Sequence, residues 1–172
     1  MLPPACLGIV LSAWYMRTLS EAVYKPIIGG IILGLTALQL ARMQKPEWFG
    51  DVPHTTLFAW TIGFVAGCAT MLANAAGAVF AVYCLAVALP KLEFVGTSAW
   101  FFLIVNSFKV PFSIALGLIH GGTLLLNLVL SPFIVAGLLA GRWLTVRIPQ
   151  RTFDLLLLAF AAIAALRLTG LF

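Results

Sequence analysis

Charged residues divide this chain into a series of apolar runs, and the lengths of the runs predict its elements. A helix needs about 20 apolar residues to cross about 30 Å of hydrocarbon. Leu2 to Met16 is apolar but only fifteen residues long. Ile27 to Ala41 follows Pro26, a residue suited to the first turn of a helix, and makes one good span once Val23 to Lys25 is included. A polar interval from Arg42 to Thr56 comes next, holding Lys45, Pro46, Glu47, Asp51, Pro53 and His54. It reads as an extramembrane loop linking two halves. Leu57 to Pro90 then runs 34 residues without a charge. As one straight helix it would be about 51 Å long, too long for a single crossing. Its middle, Met71-Leu72-Ala73-Asn74-Ala75-Ala76-Gly77, interrupts it. Asn74 is suited to cap a helix and Gly77 to a close backbone approach, so two short helices meeting at Asn74 are expected. Phe94 to Ile119 follows, containing Asn106, Lys109 and Pro111, with a kink expected at the proline. Thr123 to Leu144 and Thr152 to Leu168 close the chain. The pattern is an all-α polytopic membrane helix bundle of about seven segments.

Composition agrees and removes whole classes of function. Of 172 residues, 63% are hydrophobic and 9% charged, and the mean hydropathy is +1.12. Covering a soluble domain takes about a quarter charged residues. The net charge of +5 and pI near 9.5 come from Lys and Arg scattered in ones and twos between apolar runs, so nucleic acid is not an expected partner. Cys6, Cys68 and Cys84 lie in apolar stretches without paired spacing, which suggests neither a disulfide framework nor a zinc site. The stretch from Met1 to Tyr15 lacks the basic flank of a signal peptide. Glu21, Glu47, Asp51, Glu93 and Asp154 all fall in loops or at segment ends. With no carboxylate at mid-membrane, a hydrolase dyad, a two-carboxylate metal centre and a carboxylate proton relay are all disfavoured. His54 falls in a loop and His120 adjoins Gly121-Gly122, so neither suggests a metal. No enzyme activity and no cofactor are expected. A proton-driven cycle would have to use Lys109, His120, the substrate itself or residues outside this chain.

Sliding the sequence along itself by 129 residues aligns the first two segments with the last two without a gap. Pro3 meets Pro132, Gly8 meets Gly137, Ser12 meets Gly141, Trp14 meets Trp143, Leu19 meets Ile148 and Tyr24 meets Phe153. Three of the six pairs are identities. A proline, a small-xxx-small pair, an interfacial tryptophan and an aromatic at the next helix start thus recur in register. The expected organisation is a first repeat ending at 1–41 with two helices, a linker at 42–56, and a second repeat over 57–172 with about five segments. Met1 then corresponds to Leu130, inside a helix, so the chain is expected to start within a membrane helix, through truncation or a start placed too late, with a degenerate remnant of the first helix as the alternative. Duplicated halves facing a central site are a common construction of secondary transporters. Whether Leu57 to Pro90 crosses once or folds as a hairpin decides between parallel and inverted halves.

The run Asn74-Ala75-Ala76-Gly77, then Leu89-Pro90-Lys91, then Phe94-Val95-Gly96-Thr97-Ser98-Ala99-Trp100-Phe101-Phe102, then Asn106-Ser107-Phe108-Lys109-Val110-Pro111-Phe112, resembles the TauE/SafE family of membrane permeases. The likeness continues through Gly137, Gly141, Arg142 and Arg147-Ile148-Pro149, and more loosely through Leu2 to Arg42. The resemblance implies export of sulfite or an organosulfonate. Two departures stand out. The chain has Ala78 where the family often has a proline after the glycine of the asparagine turn, and it lacks the upstream part of the first half with its glycine-rich turn.

The chemistry of the same residues points to an anion. A break at Asn74 to Gly77 leaves helix-start N–H groups without intrahelical acceptors, and Gly96-Thr97-Ser98 offers a similar helix start with two hydroxyls. Lys109 sits in an apolar run with no acid nearby in sequence. The candidate substrate-binding residues are therefore Asn74, Gly77, Gly96, Thr97, Ser98, Asn106 and Lys109. Each has a plainer reading: a tight turn at Asn74 and Gly77, helix caps at Thr97 and Ser98, an interhelical hydrogen bond at Asn106, and a snorkelling Lys109. The pairs Gly30/Gly34, Gly63/Gly67, Gly117/Gly121 and Gly137/Gly141 have the GxxxG spacing of close helix packing. Arg142, Arg147 and Arg151 place the last turn in the cytoplasm by the positive-inside rule, and the expected location is the cell membrane, a bacterial inner membrane. The expected partners are a small anion, the lipid bilayer and a possible second copy of the chain. The alternatives are a non-transporting helical membrane subunit or inactive fragment packed against a partner, and a channel for a neutral or cationic solute.

Overall fold

A computed structural model describes residues 1–16, 18, 20–45 and 55–170. Most of the expected linker, with Glu47, Asp51, Pro53 and His54, lies outside them. The described residues form seven helices: α1 (Leu2–Tyr15), α2 (Glu21–Gln44), α3 (Thr56–Ala73), α4 (Ala76–Ala86), α5 (Lys91–Ala115), α6 (Gly121–Arg147) and α7 (Gln150–Thr169). There is no strand among these residues. By length and composition α2, α3, α5, α6 and α7 can each cross a membrane, whereas α1 and α4 are shorter apolar helices. The chain is an all-α, multi-pass membrane protein.

The uncharged run that is too long for one span folds as a hairpin. α3 and α4 meet at Asn74, and α4 turns back along α3 so that Tyr83 stacks on Phe58, with ring centroids 5.6 Å apart. With 11 residues, α4 is about 16 Å long and does not cross the bilayer alone. Its apolar side chains fill the centre of the protein instead. Val79, Phe80 and Cys84 are almost fully buried. Phe80 stacks on Phe101 of α5 with centroids 4.6 Å apart.

Helix directions follow from which residues touch. Met1 and Pro4 lie on Gly63, and Ala5 lies on Gly67, so α1 and α3 run parallel. A Cβ on Gly67 would stand 2.0 Å from the Ala5 carbonyl oxygen, and one on Gly8 would stand 2.4 Å from that of Phe64. Only glycine permits this backbone-to-backbone crossing. α2 and α7 run antiparallel through Gly29, where a Cβ would meet the Ala165 carbonyl oxygen at 2.7 Å. α6 returns beside α5, because the Lys91 side chain at the start of α5 donates to the carbonyl oxygens of Val146 and Ile148 at the end of α6. The segments matched at the 129-residue offset, α1 with α6 and α2 with α7, therefore run in opposite directions. The buried positions Tyr24, Gly29, Ile32 and Thr36 of α2 fall at that offset from Phe153, Leu158, Ala161 and Ala165, also buried.

Two expectations need correction, and one further feature stands out. α5 begins at Lys91 with Pro90 as its cap, not at Phe94, and runs as one helix through Pro111. Of the four glycine pairs, only Gly63/Gly67 packs against another helix among the described residues. A Cβ added at Gly30, Gly34, Gly117, Gly121, Gly137 or Gly141 meets nothing within 4 Å, and Gly29, beside the expected pair, makes the α2 crossing. Finally, α6 buries none of its residues, and Leu128, Phe133, Leu138 and Trp143 are all exposed along it.

Candidate functional site

Asn74 is the pivot of the α3–α4 hairpin. It takes φ 52° and ψ 33°, the left-handed conformation that asparagine tolerates better than most residues. Its N–H donates to the Thr70 carbonyl oxygen, and the next N–H, of Ala75, reaches back to the Ala69 carbonyl oxygen, closing α3 in the manner of a Schellman turn. Asn74 is thus the C-cap of α3, and it does not serve as the N-cap of α4. The residue before α4 is Ala75, which supplies no side-chain cap, so the first N–H groups of α4 have no acceptor from that position.

The Asn74 side chain is therefore free for another partner, and Lys109 takes it. The Lys109 ammonium donates to Asn74 Oδ1 at 2.7 Å and to Thr70 Oγ1 at 3.3 Å. Thr70 is buried, Lys109 half-buried and Asn74 exposed. An ammonium has three N–H donors, and these two neutral oxygens use two of them. No acid pairs with Lys109 among the described residues.

The sign of the site follows from magnitudes. The end of α3 carries roughly half a negative charge and the start of α4 roughly half a positive one, so the two nearly cancel where they meet. The full positive charge of Lys109 is left over. Neutral amide and hydroxyl oxygens hold that charge in place without neutralising it, and a hydrogen bond to a charged group is worth about 1.5–3 kcal/mol.

Among the residues singled out from sequence, Asn74 and Lys109 come together. Thr70 is an addition to that set, although its position four residues before Asn74 puts both on one face of α3. Gly77 is exposed near the start of α4 and its Cβ position faces open space, so the expected close approach is not made. Gly96, Thr97 and Ser98 do not start a helix. They lie in the second turn of α5, and Ser98 Oγ donates to the Val95 carbonyl oxygen at 2.9 Å. Thr97 borders a cavity of about 710 Å³ with Met1, Phe80, Tyr83, Trp100 and Phe101. Thr97 is about 18 Å along α5 from Lys109. Asn106 is exposed one turn before Lys109 and makes no hydrogen bond among the described residues. His120 caps α6, where its N–H donates to Thr123 Oγ1 at 2.9 Å. No group of three or more His, Cys, Asp or Glu side chains suited to a metal occurs among the described residues.

The family model described as sulfite exporter TauE/SafE matches residues 1–168. The chain belongs to the TauE/SafE family. No curated protein and no solved structure matches it. Membership of TauE/SafE makes the chain one of a family of membrane transporters, and the Asn74–Lys109 pair lies within the matched residues.

Proposed function

We propose that this TauE/SafE protein is a permease that carries a small anion, sulfite or an organosulfonate, across the cytoplasmic membrane, with Lys109 as its cationic centre. The observation that carries the reading is the Lys109 ammonium held by Asn74 and Thr70, with no acid among the described residues to neutralise it. Its third N–H binds an oxygen of the anion, and the uncapped N–H groups at the start of α4, with Gly77 leaving room beside them, offer further hydrogen-bond donors while Lys109 supplies the charge. Because the Asn74 and Thr70 contacts are neutral, they fix the ammonium without competing for its charge. Asn106, one turn away, offers an amide to a second oxygen. Gly96, Thr97 and Ser98 lie further along α5 on the path toward the α6–α7 turn. That turn, with Arg142 and Arg151 beside it, faces the cytoplasm. The opposite directions of α1 and α6, and of α2 and α7, support reading the two sequence repeats as inverted, the arrangement in which a transporter alternates access around one site. Catalysis of a covalent change is no part of this reading.

The test is sulfite flux in proteoliposomes. Lys109→Ala and Asn74→Ala should each abolish it while the variants stay monodisperse; flux at the wild-type rate in Lys109→Ala would sink the site. A second reading, a helical subunit that does not itself transport, is favoured by one observation, that α6 buries none of its residues. It predicts a defined partner on purification and no flux in the wild type.

A further inference from the structure

The turn between α6 and α7 carries positive charge that no acid takes up, and it adjoins a helix, α6, that buries none of its residues. From Arg142 to Asp154 the chain holds three arginines and one carboxylate. That carboxylate, Asp154, is half-buried and accepts from Gln150 Nε2 at 2.7 Å. Arg142, Arg147 and Arg151 are all exposed, and none of them pairs with an acid among the described residues. The nearby Lys91 ammonium donates to the carbonyl oxygens of Val146 and Ile148. Those oxygens are neutral, so its charge adds to the excess.

One of the arginines is held against the open face of α6. The Arg147 guanidinium lies over the Trp143 ring, its Cζ 3.7 Å from the ring centroid. Such a stack uses the flat face of the guanidinium and leaves the N–H groups at its edge free to donate. Four-residue steps back from Arg147 lead to Trp143, Leu139 and Val135, all exposed along one face. This stripe is about 18 Å long, close to the about 15 Å of hydrocarbon in one leaflet. It passes from aliphatic to tryptophan to arginine, the order of hydrocarbon, interface and headgroup in a bilayer. A protein helix packed on this face would gain nothing from that order. A phospholipid of net negative charge matches it at both ends.

We infer that the α6–α7 turn binds an anionic phospholipid, with its phosphate held by Arg147, Arg142 and Arg151 adding to the charge, and an acyl chain lying along Leu139 and Val135. Basic groups beside membrane helices are suited to such headgroups, and the guanidinium to a phosphate in particular. Bound there, the lipid offsets part of the excess charge and covers apolar side chains that no other helix covers. The inference is independent of Lys109 and of what the protein carries.

The test is native mass spectrometry of the purified full chain in a nonionic detergent, titrated separately with dioleoylphosphatidylglycerol and dioleoylphosphatidylcholine. The first phosphatidylglycerol should bind about tenfold more tightly than the first phosphatidylcholine, the worth of one charge-assisted hydrogen bond. Arg147→Gln should remove that preference by weakening phosphatidylglycerol and leaving phosphatidylcholine unchanged. Arg142→Gln together with Arg151→Gln should reduce it. Lys109→Gln should bind both lipids as the wild type does, so a failure of the anion site leaves this result standing. Equal affinity of the wild type for the two lipids overturns the inference and leaves α6 to a protein partner or to unselected lipid. An undiminished preference in Arg147→Gln overturns it too, as does displacement of the lipid by inorganic phosphate at the same concentration, which would mark a site for a free anion. If Arg147→Gln does not fold, an undiminished preference in the double variant overturns it equally.

Discussion

Replacing Asn74 in two different ways separates its backbone role from its side-chain role. Asn74→Ala removes the acceptor of the 2.7 Å bond from Lys109 and also puts at φ 52° a residue without the polar side chain that lets asparagine tolerate this conformation. Asn74→Gly removes the same acceptor but accepts that conformation freely. The left-handed conformation costs a non-glycine residue about 1–2 kcal/mol. The bond to the ammonium is a charged one, which argues for about 1.5–3 kcal/mol, but Asn74 is exposed and interhelical bonds in membranes average about 0.6 kcal/mol. A net value of about 1 kcal/mol is therefore expected. The assay is reversible unfolding in mixed micelles, run on both variants in the wild-type and Lys109→Met backgrounds. Asn74→Gly should be more stable than Asn74→Ala by about 1–2 kcal/mol in either background. The cycle between Asn74→Gly and Lys109→Met should show about 1 kcal/mol of coupling, with the effect of glycine on the unfolded chain cancelling between backgrounds. A coupling of zero would refute the pairing, and equal stability of the two Asn74 variants would refute the left-handed turn.

Other outcomes follow from the same geometry. Gly67→Ala should destabilise the protein by about 1–3 kcal/mol in the same unfolding assay, because its Cβ would stand 2.0 Å from the Ala5 carbonyl oxygen. Gly137→Ala, with nothing within 4 Å, should leave the chain as stable as before or raise its stability by up to about 1 kcal/mol through helix propensity. Ala88→Gly should relieve the positive φ of 54° and raise stability by about 1 kcal/mol. Lys91→Met should remove the donors to Val146 and Ile148 and accelerate amide hydrogen exchange around the α6–α7 turn, with little change in exchange at the α3–α4 turn.

The lengths of the apolar runs make the element order legible in the sequence, because a bilayer constrains helix length so strongly. The same constraint divides the 34 uncharged residues at Asn74, where the hairpin turns. It fails where a local polar cluster imitates a helix start. Gly96-Thr97-Ser98 reads as a cap, yet Ser98 satisfies its hydroxyl on the backbone of its own helix, so α5 runs through the cluster unbroken. The role of Asn74 is half legible. Asparagine suits a helix N-cap and a left-handed C-cap alike, and only the backbone hydrogen bonds from Asn74 and Ala75 into the end of α3 decide between them. The glycine pairs mislead for a different reason. The GxxxG spacing marks a face that can be closely approached but not which helix approaches it, and Gly8, Gly29 and Gly67 make their crossings with residues distant in sequence. Thr70 gives no signal of its own, because a threonine in an apolar helix is ordinary until a lysine 39 residues away reaches it.

The claim that Lys109 provides the charge for the anion is tested most directly by equilibrium binding of ³⁵S-sulfite to the purified chain and its Lys109→Gln and Lys109→Arg variants. Lys109→Gln should bind at least about tenfold more weakly than the wild type, the loss of one charge-assisted hydrogen bond, with Lys109→Arg recovering part of the affinity. Sulfite bound equally well by the wild type and Lys109→Gln would contradict the account.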